Sequence, residues 1–336
     1  MTTPAPRLLS THAPAQFPLG LGCMGMSDLY GAADRVEGLA TIRAALDAGV
    51  TLFDTGDFYG MGHNETLLAE GLQGRRDKAY IQVKFGALRG PDGAFVGFDA
   101  RPAAIKNFIA YSLKRLNTDY IDLYQPARLD PTVPIEDTVG TIADLVKGGY
   151  VRHIGLSEMG AATIRRAHAV HPITVLQMEY SLMSRSIEAE ILPVLTELGI
   201  GLTAYGVLGR GLISNTSPSV DSLAPNDFRS HSPRFQGENL ARNRELVDQL
   251  ATVAAELGAT VAQVAIAWVL SRGPNIVPLI GARKRVRLQE SLGALRLALT
   301  PADLARIEAA LPADAVAGTR YAPAQMQMLD SERRVA

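Results

Sequence analysis

Early in the chain stand three side chains whose types and spacing could move a proton. Asp54 ends the apolar run Thr51-Leu52-Phe53, Tyr59 follows five residues later, and Lys84 ends Tyr80-Ile81-Gln82-Val83. A phenol titrates near 10 and is a poor acid at neutral pH. An ammonium a few ångströms away favours the phenolate and lowers that value, and a carboxylate paired with the ammonium keeps it charged and aimed. Together the three make a general acid–base. Singly each has a plainer explanation: the aspartate caps, the lysine is solvated, the tyrosine packs. Their joint order and spacing favour chemistry. Polar groups close other apolar runs in the same way: Ser157-Glu158, Gln177, Tyr205 and Gly281-Ala282-Arg283.

Side chains at the carboxyl ends of successive strands meet on one face when the strands run parallel and close into a ring. Strand-like runs lie near 19–24, 51–55, 80–84, 120–124, 151–156, 173–178, 200–205 and 276–280. Between them, helical patterns cover 35–48, 65–72, 101–116, 135–146, 160–170 and 188–198, several stopping at glycine. Continuous apolar strands alternating with helices predict an α/β fold, either a (β/α)8 barrel or a doubly wound open sheet. The barrel is favoured, because an open sheet gathers its functional groups at one switch point. The chain is expected to form one barrel domain over 1–336, with a lid at 213–237 centred on 221–231 and an irregular tail at 312–336.

At 336 residues the length suits such a barrel with insertions. No apolar run approaches the ~20 residues that span a bilayer, and the Pro/Ala-rich start lacks the apolar core of a signal peptide. The net charge of −1, with basic residues dispersed until Arg283-Lys284-Arg285-Val286-Arg287, argues against a nucleic-acid surface. The single cysteine, Cys23, cannot form an intramolecular disulfide, which predicts a reducing, cytoplasmic setting. No cluster has zinc-site spacing, so no metal is expected. His63 could line a pocket or cap a loop, His153 reads as a core residue, and His168 and His171 flank a helix end. Gly20-Leu21-Gly22-Cys23-Met24-Gly25 fits G-x-G-x-x-G, but no helix opens within it and Asp47 lies inside a helix, so it does not mark a dinucleotide fold. It reads as a glycine-rich first strand and loop that leaves room for a ligand.

Taken with Phe53-Asp54-Thr55-Gly56-Asp57-Phe58-Tyr59-Gly60, Gly62-His63-Asn64-Glu65, Asp119-Tyr120-Ile121-Asp122-Leu123-Tyr124, Gln177-Met178-Glu179-Tyr180 and Leu208-Gly209-Arg210-Gly211, these residues make the chain resemble an aldo-keto reductase over roughly 19–311. The resemblance implies reversible hydride transfer between a nicotinamide cofactor and a small carbonyl compound. It implies that Tyr59 protonates the carbonyl oxygen, Lys84 tunes Tyr59 and Asp54 holds Lys84. It further implies that Ser157 and Gln177 hold the carboxamide, that Tyr205 stacks on the nicotinamide, and that Leu208, Arg210, Gly281 and Glu290 complete the cofactor site. The turn at 281–287 opens a helix, where free N–H groups and arginine suit phosphate. Arg283 and Arg287 are best placed for a 2′-phosphate, so NADPH is preferred over NADH. Ser291 stands where such proteins usually have Asn, and Gly206-Val207 where they have Ser-Pro.

One departure bears on catalysis. Aligned on Arg128 and Asp130-Pro131, the position of the usual His is Ala127, which can neither donate nor titrate. Gln125 could supply a displaced donor, the remaining three could suffice, or the protein could bind a nucleotide without turning over. Branches that resemble pyridoxal reductases share a non-His residue here, which makes such a role the most specific expectation. Tyr30, Phe85, Gln125 and Ala127 are the expected substrate-facing residues, with Phe228 and Phe235 beside them. The competing functions are a nucleotide-binding regulatory subunit and a Schiff-base lyase or isomerase using Lys84. Oligomeric state is not read from the sequence.

Overall fold

The structure is a computed structural model and describes residues 4–27, 29–214, 223–224 and 227–332. Its strands are β1 (Gly20–Gly22), β2 (Leu52–Gly56), β3 (Tyr80–Phe85), β4 (Ala87–Arg89), β5 (Phe95–Phe98), β6 (Ile121–Pro126), β7 (Val151–Ser157), β8 (Val175–Glu179), β9 (Gly201–Tyr205) and β10 (Ile276–Ile280). Eight of them close into a parallel barrel in the order β1-β10-β9-β8-β7-β6-β3-β2. The ring shuts where Leu21 pairs with both Phe53 and Ile280. The expected strands are all present. The antiparallel β4–β5 hairpin, inserted after β3, was not anticipated.

Six helices fall where the patterns place them: α1 (Arg35–Asp47), α2 (His63–Gly71), α3 (Pro102–Leu116), α4 (Ile135–Lys147), α5 (Ala161–Val170) and α6 (Ile191–Leu198). Their ends have local causes. The Asp34 carboxylate accepts from the Val36 and Glu37 N–H groups to start α1, and Gly199 at φ +66 ends α6. Five more follow: α7 (Gly237–Glu256), α8 (Val261–Ser271), α9 (Arg285–Leu292), α10 (Pro301–Ala310) and α11 (Pro323–Met326). Among the described residues no single helix is long and apolar enough to cross a membrane.

The two-residue strand period sorts side chains into two cores. Phe53, Ile81, Val83, Phe85, Tyr124, Ile154, Leu176 and Leu202 face outward and pack in the layer under the helices. Leu52, Tyr80, Leu123, Val175, Val277 and Leu279 face the barrel axis. The amino-terminal end of the barrel is stoppered by Leu9, which joins this inner cluster. Arg7 fastens the stopper by donating to the Leu270, Gly273 and Ile276 carbonyls. Gly201 lies under it, and a Cβ there would sit 2.2 Å from the Leu9 carbonyl oxygen. With that end shut, the carboxyl end is the open one. His153, expected in the core, is half-buried and stacks on Tyr80.

The glycines at 20–25 give their space to protein. A Cβ on Gly20 would strike Leu52 and Leu279, and one on Gly25 would meet the Arg283 stem. At those two the room is filled by side chains, whereas a Cβ on Gly22 would meet only backbone, at 3.7 Å or more. The tail at 312–332 is more ordered than expected. It carries α11 and a 3-10 turn at Asp330–Glu332, and it buries Arg320 and Leu329.

Candidate active site

Lys84 and Asp54 lie one above the other on the inner wall, since β2 and β3 pair with Gly56 opposite Lys84. Lys84 Nζ donates to Asp54 Oδ1 at 2.6 Å, and Gln177 Nε2 donates to the same oxygen at 2.8 Å. All three are buried. Tyr59 reaches the pair from the turn after β2, where Gly60, Met61 and Gly62 are all left-handed. The turn is pinned to the loop after β1: Asn64 donates to the Cys23 carbonyl and to Ser27 Oγ, and His63 Nδ1 lies 2.8 Å from Ser27 Oγ. His63 therefore holds a loop in place. Lys84 Nζ sits 5.0 Å from the Tyr59 ring centroid.

The electrostatics run against the expected lowering of the Tyr59 phenol. Burial, and after it the Asp54 carboxylate, push the Tyr59 phenol well above its usual range. Lys84 does not reverse this, because its charge lies against Asp54. Burial lowers the Lys84 ammonium and Asp54 opposes that shift. Tyr59 therefore stands as a protonated phenol over the neutral range, which suits an acid.

The adjoining strand is β6, which pairs with β3 and sets Gln125 beside Lys84. Gln125 is buried, its Nε2 donates to Gln177 Oε1 at 3.3 Å, and its Oε1 has no partner. Gly155 makes room for it, since a Cβ there would lie 2.6 Å from Gln125 Oε1. Ala127 is buried, and its N–H donates to the Phe85 carbonyl. Phe85 itself is not substrate-facing. One residue past Lys84 it points outward, stacked on Tyr124 at 4.3 Å. Phe235 is likewise buried in the outer core. Tyr30 and Phe228 are half-buried at the mouth, tied together by the Phe228 N–H donating to the Leu29 carbonyl. The expected lid at 213–237 is described only in part, and 215–222 and 225–226, including Asp221, lie outside the described residues.

Among the residues expected at the nicotinamide, Ser157 Oγ is buried without a partner. This hydroxyl and Gln125 Oε1 are the orphaned polar atoms that a carboxamide could satisfy, so the residues present fit a nicotinamide. Gln177 is already engaged at both ends, by Asp54 and Gln125. Tyr205 is half-buried, and its hydroxyl donates to Glu158 Oε1 at 2.7 Å and lies 2.8 Å from the Tyr321 hydroxyl. Leu208 is half-buried against the outer core.

A network that the sequence reading missed surrounds these groups. Arg320, from the tail, donates through Nη1 and Nη2 to the two oxygens of Glu158 at 2.9 and 2.6 Å. Although burial opposes ionisation, the Arg320 charge and hydrogen bonds hold the Glu158 carboxyl down at about 2. Arg210 donates to Glu179 Oε2 at 2.8 Å and lies 4.3 Å from the Tyr321 ring centroid. It also donates to the Arg320 carbonyl and so braces the tail. Tyr321 accepts from Arg128, and both act electrostatically on Tyr59. A buried Glu directly after a strand end was the available signal for Glu158. The tail residues carried none.

Beyond β10, α9 begins after Lys284. Gly281 is open, with nothing within 4 Å of where a Cβ would stand. Arg283 donates to the Tyr30 and Ala32 carbonyls. Arg285 is held by Glu37, which accepts from its N–H and its guanidinium, so the helix start is less open than expected. Arg287 is exposed and pairs with Glu290 at 2.9 Å. Ser291 is turned into the helix, its Oγ donating to the Arg287 carbonyl.

This barrel has known counterparts. The probable aldo-keto reductase 1 of Glycine max is 43% identical over 307 residues, 90% of this chain and 88% of that protein. The glycerol dehydrogenase of Gluconobacter oxydans superposes with a TM-score of 0.83 at 26% identity, covering 100% of this chain and 99% of that one. An aldo/keto reductase of Klebsiella pneumoniae, solved with NADP and acetate, has a TM-score of 0.72 at 25% identity over 91% and 95% of the two chains. The model of the Aldo/keto reductase family matches residues 18–312, from just before the first barrel strand to just past α10. With the sequence matched across the whole ring and the fold shared end to end, the chain belongs to the aldo/keto reductase family and is an oxidoreductase.

Proposed function

We propose that the protein reduces an aldehyde or ketone to its alcohol, with NADPH as hydride source and Tyr59 as the acid. The observation that carries this reading is the buried Tyr59–Lys84–Asp54 cluster at the open end of the barrel, with Tyr59 held protonated. When bound, the nicotinamide supplies a hydride to the carbonyl carbon. The carbonyl oxygen takes the Tyr59 proton and becomes the hydroxyl. Tyr59 is left as a phenolate, which the nearby Lys84 ammonium stabilises until solvent returns the proton. Asp54 keeps Lys84 charged and in place, and Gln177 keeps Asp54 oriented. Ser157 and Gln125 offer their unsatisfied atoms to the carboxamide, and Tyr205 offers its ring. NADPH is favoured by the exposed cations at 284–287 and by the NADP bound to the Klebsiella pneumoniae relative.

The test is loss of absorbance at 340 nm with NADPH and NADH in parallel, against pyridoxal, aromatic aldehydes and ketones. Tyr59→Phe is expected to lower turnover by ~10²–10⁴-fold, the usual worth of a general acid, while nucleotide binding measured by fluorescence persists. Tight NADPH binding with no turnover of any carbonyl would reject the reading. Because Ala127 offers no donor, that outcome would favour a nucleotide-binding subunit.

A further inference from the structure

Arg128 differs from the other arginines around the mouth. Arg210 and Arg234 pair with Glu179, and Arg320 with Glu158. No carboxylate among the described residues comes within 4.0 Å of the Arg128 guanidinium. Its partners are a carbonyl and a phenol: Nη1 donates to the Ala127 carbonyl at 2.6 Å, and Nη2 to the Tyr321 hydroxyl at 3.4 Å. An arginine has five N–H donors in a planar fork, so most of this fork is unused. The side chain is half-buried, open to the mouth. Glu158 supplies an opposite charge at longer range, but its oxygens are taken by Arg320, so the Arg128 fork itself meets no anion.

Position makes the unfilled donors relevant to the reaction. The guanidinium folds back over residue 127 and donates to its carbonyl. The Tyr321 hydroxyl that it touches lies 2.8 Å from that of Tyr205. Its field reaches the reacting groups. Against the larger effects of burial and Asp54, Arg128 pulls the Tyr59 phenol down, and it also acts on Lys84.

We propose that Arg128 is the substrate-recognition cation of this site and that it selects carbonyl compounds bearing a carboxylate. A planar fork matches a carboxylate with two parallel hydrogen bonds, a match that an ammonium cannot make. The proposal rests on the reductase reading and names its substrate class.

The test compares matched pairs: 3- and 4-carboxybenzaldehyde against their methyl esters. The wild-type protein is expected to favour the acids on the order of 10- to 100-fold in kcat/KM, the worth of a charge-assisted pair, mainly through KM. Arg128→Met should bring the acid-to-ester ratio to near one, and Arg128→Lys should keep only part of it. A wild-type ratio near one, or a ratio that survives Arg128→Met, overturns the proposal. Benzoate binding by calorimetry reads the same contact without turnover and should weaken by the same factor in Arg128→Met. Ester reduction without acid preference would sink this proposal and leave the reductase reading standing. Benzoate binding that depends on Arg128, with no carbonyl reduced, would do the reverse.

Discussion

At Tyr59, burial and the Asp54 carboxylate act in the same direction, and both favour the phenol over the phenolate. Carbonyl reduction consumes the protonated form, and a raised folded-state value keeps that form populated to higher pH. Reduction should therefore show no alkaline limb from Tyr59 below about pH 10, the ordinary phenol value. Alcohol oxidation needs the phenolate and should rise about tenfold per pH unit across the same range. Profiles of kcat/KM in both directions check this, and an alkaline fall in reduction near pH 8 would contradict it. The Asp54–Lys84 pairing was legible because each residue closes an apolar strand. Phe85 was misread although the same strand period decides it, since a residue adjacent to Lys84 must face the other way. Arg128 served only to align the position before it, so its own chemistry went unread. Its contact Tyr321 lies 193 residues further on, in a stretch without periodic pattern.

Among the elements, the tail at 312–332 reaches deepest into the site. Glu158 is held well below its unfolded value, so the pairing stabilises the fold fully above about pH 4.3. That contribution is lost as pH falls toward about 2. Arg320→Met leaves the buried Glu158 carboxylate without its partner and should cost about 3–5 kcal/mol, measured by denaturant unfolding at neutral pH. Adding Glu158→Gln should recover part of the loss, and no change in either variant would mean that the pair does not hold the tail. The core strands and the six helices before residue 200 were legible from apolar runs and glycine stops. The β4–β5 hairpin was not, because three- and four-residue strands leave too little alternation to read. The irregular tail was expected because its order comes from Arg320, Tyr321 and Leu329 inserting into distant surfaces, which no local pattern announces.

For the molecule as a whole, the barrel was distinguishable from an open sheet because polar residues end nearly every strand. The stopper at its base was not, since Arg7 and Leu9 act only once the ring exists around them. Leu9→Ala should lower stability by about 2–5 kcal/mol through the cavity that it leaves, with kcat and KM unchanged, because Leu9 lies at the opposite end from Tyr59. A change in kinetics would show the two ends to be coupled.

Ring closure also fixes an order of events on the ribosome. β1 leaves the exit tunnel first and pairs on one side with the last strand, β10. The roughly 250 residues between them take on the order of 10–50 s to synthesise. Throughout that interval one edge of the nascent sheet keeps its N–H and C=O groups unpaired, a template for other chains. A message cut short before residue 276 should yield a polypeptide with two open edges that pellets on centrifugation, while the full-length chain stays in the supernatant. The first strand made is the last to be satisfied, so yield in the cell depends on how well that edge is shielded during translation.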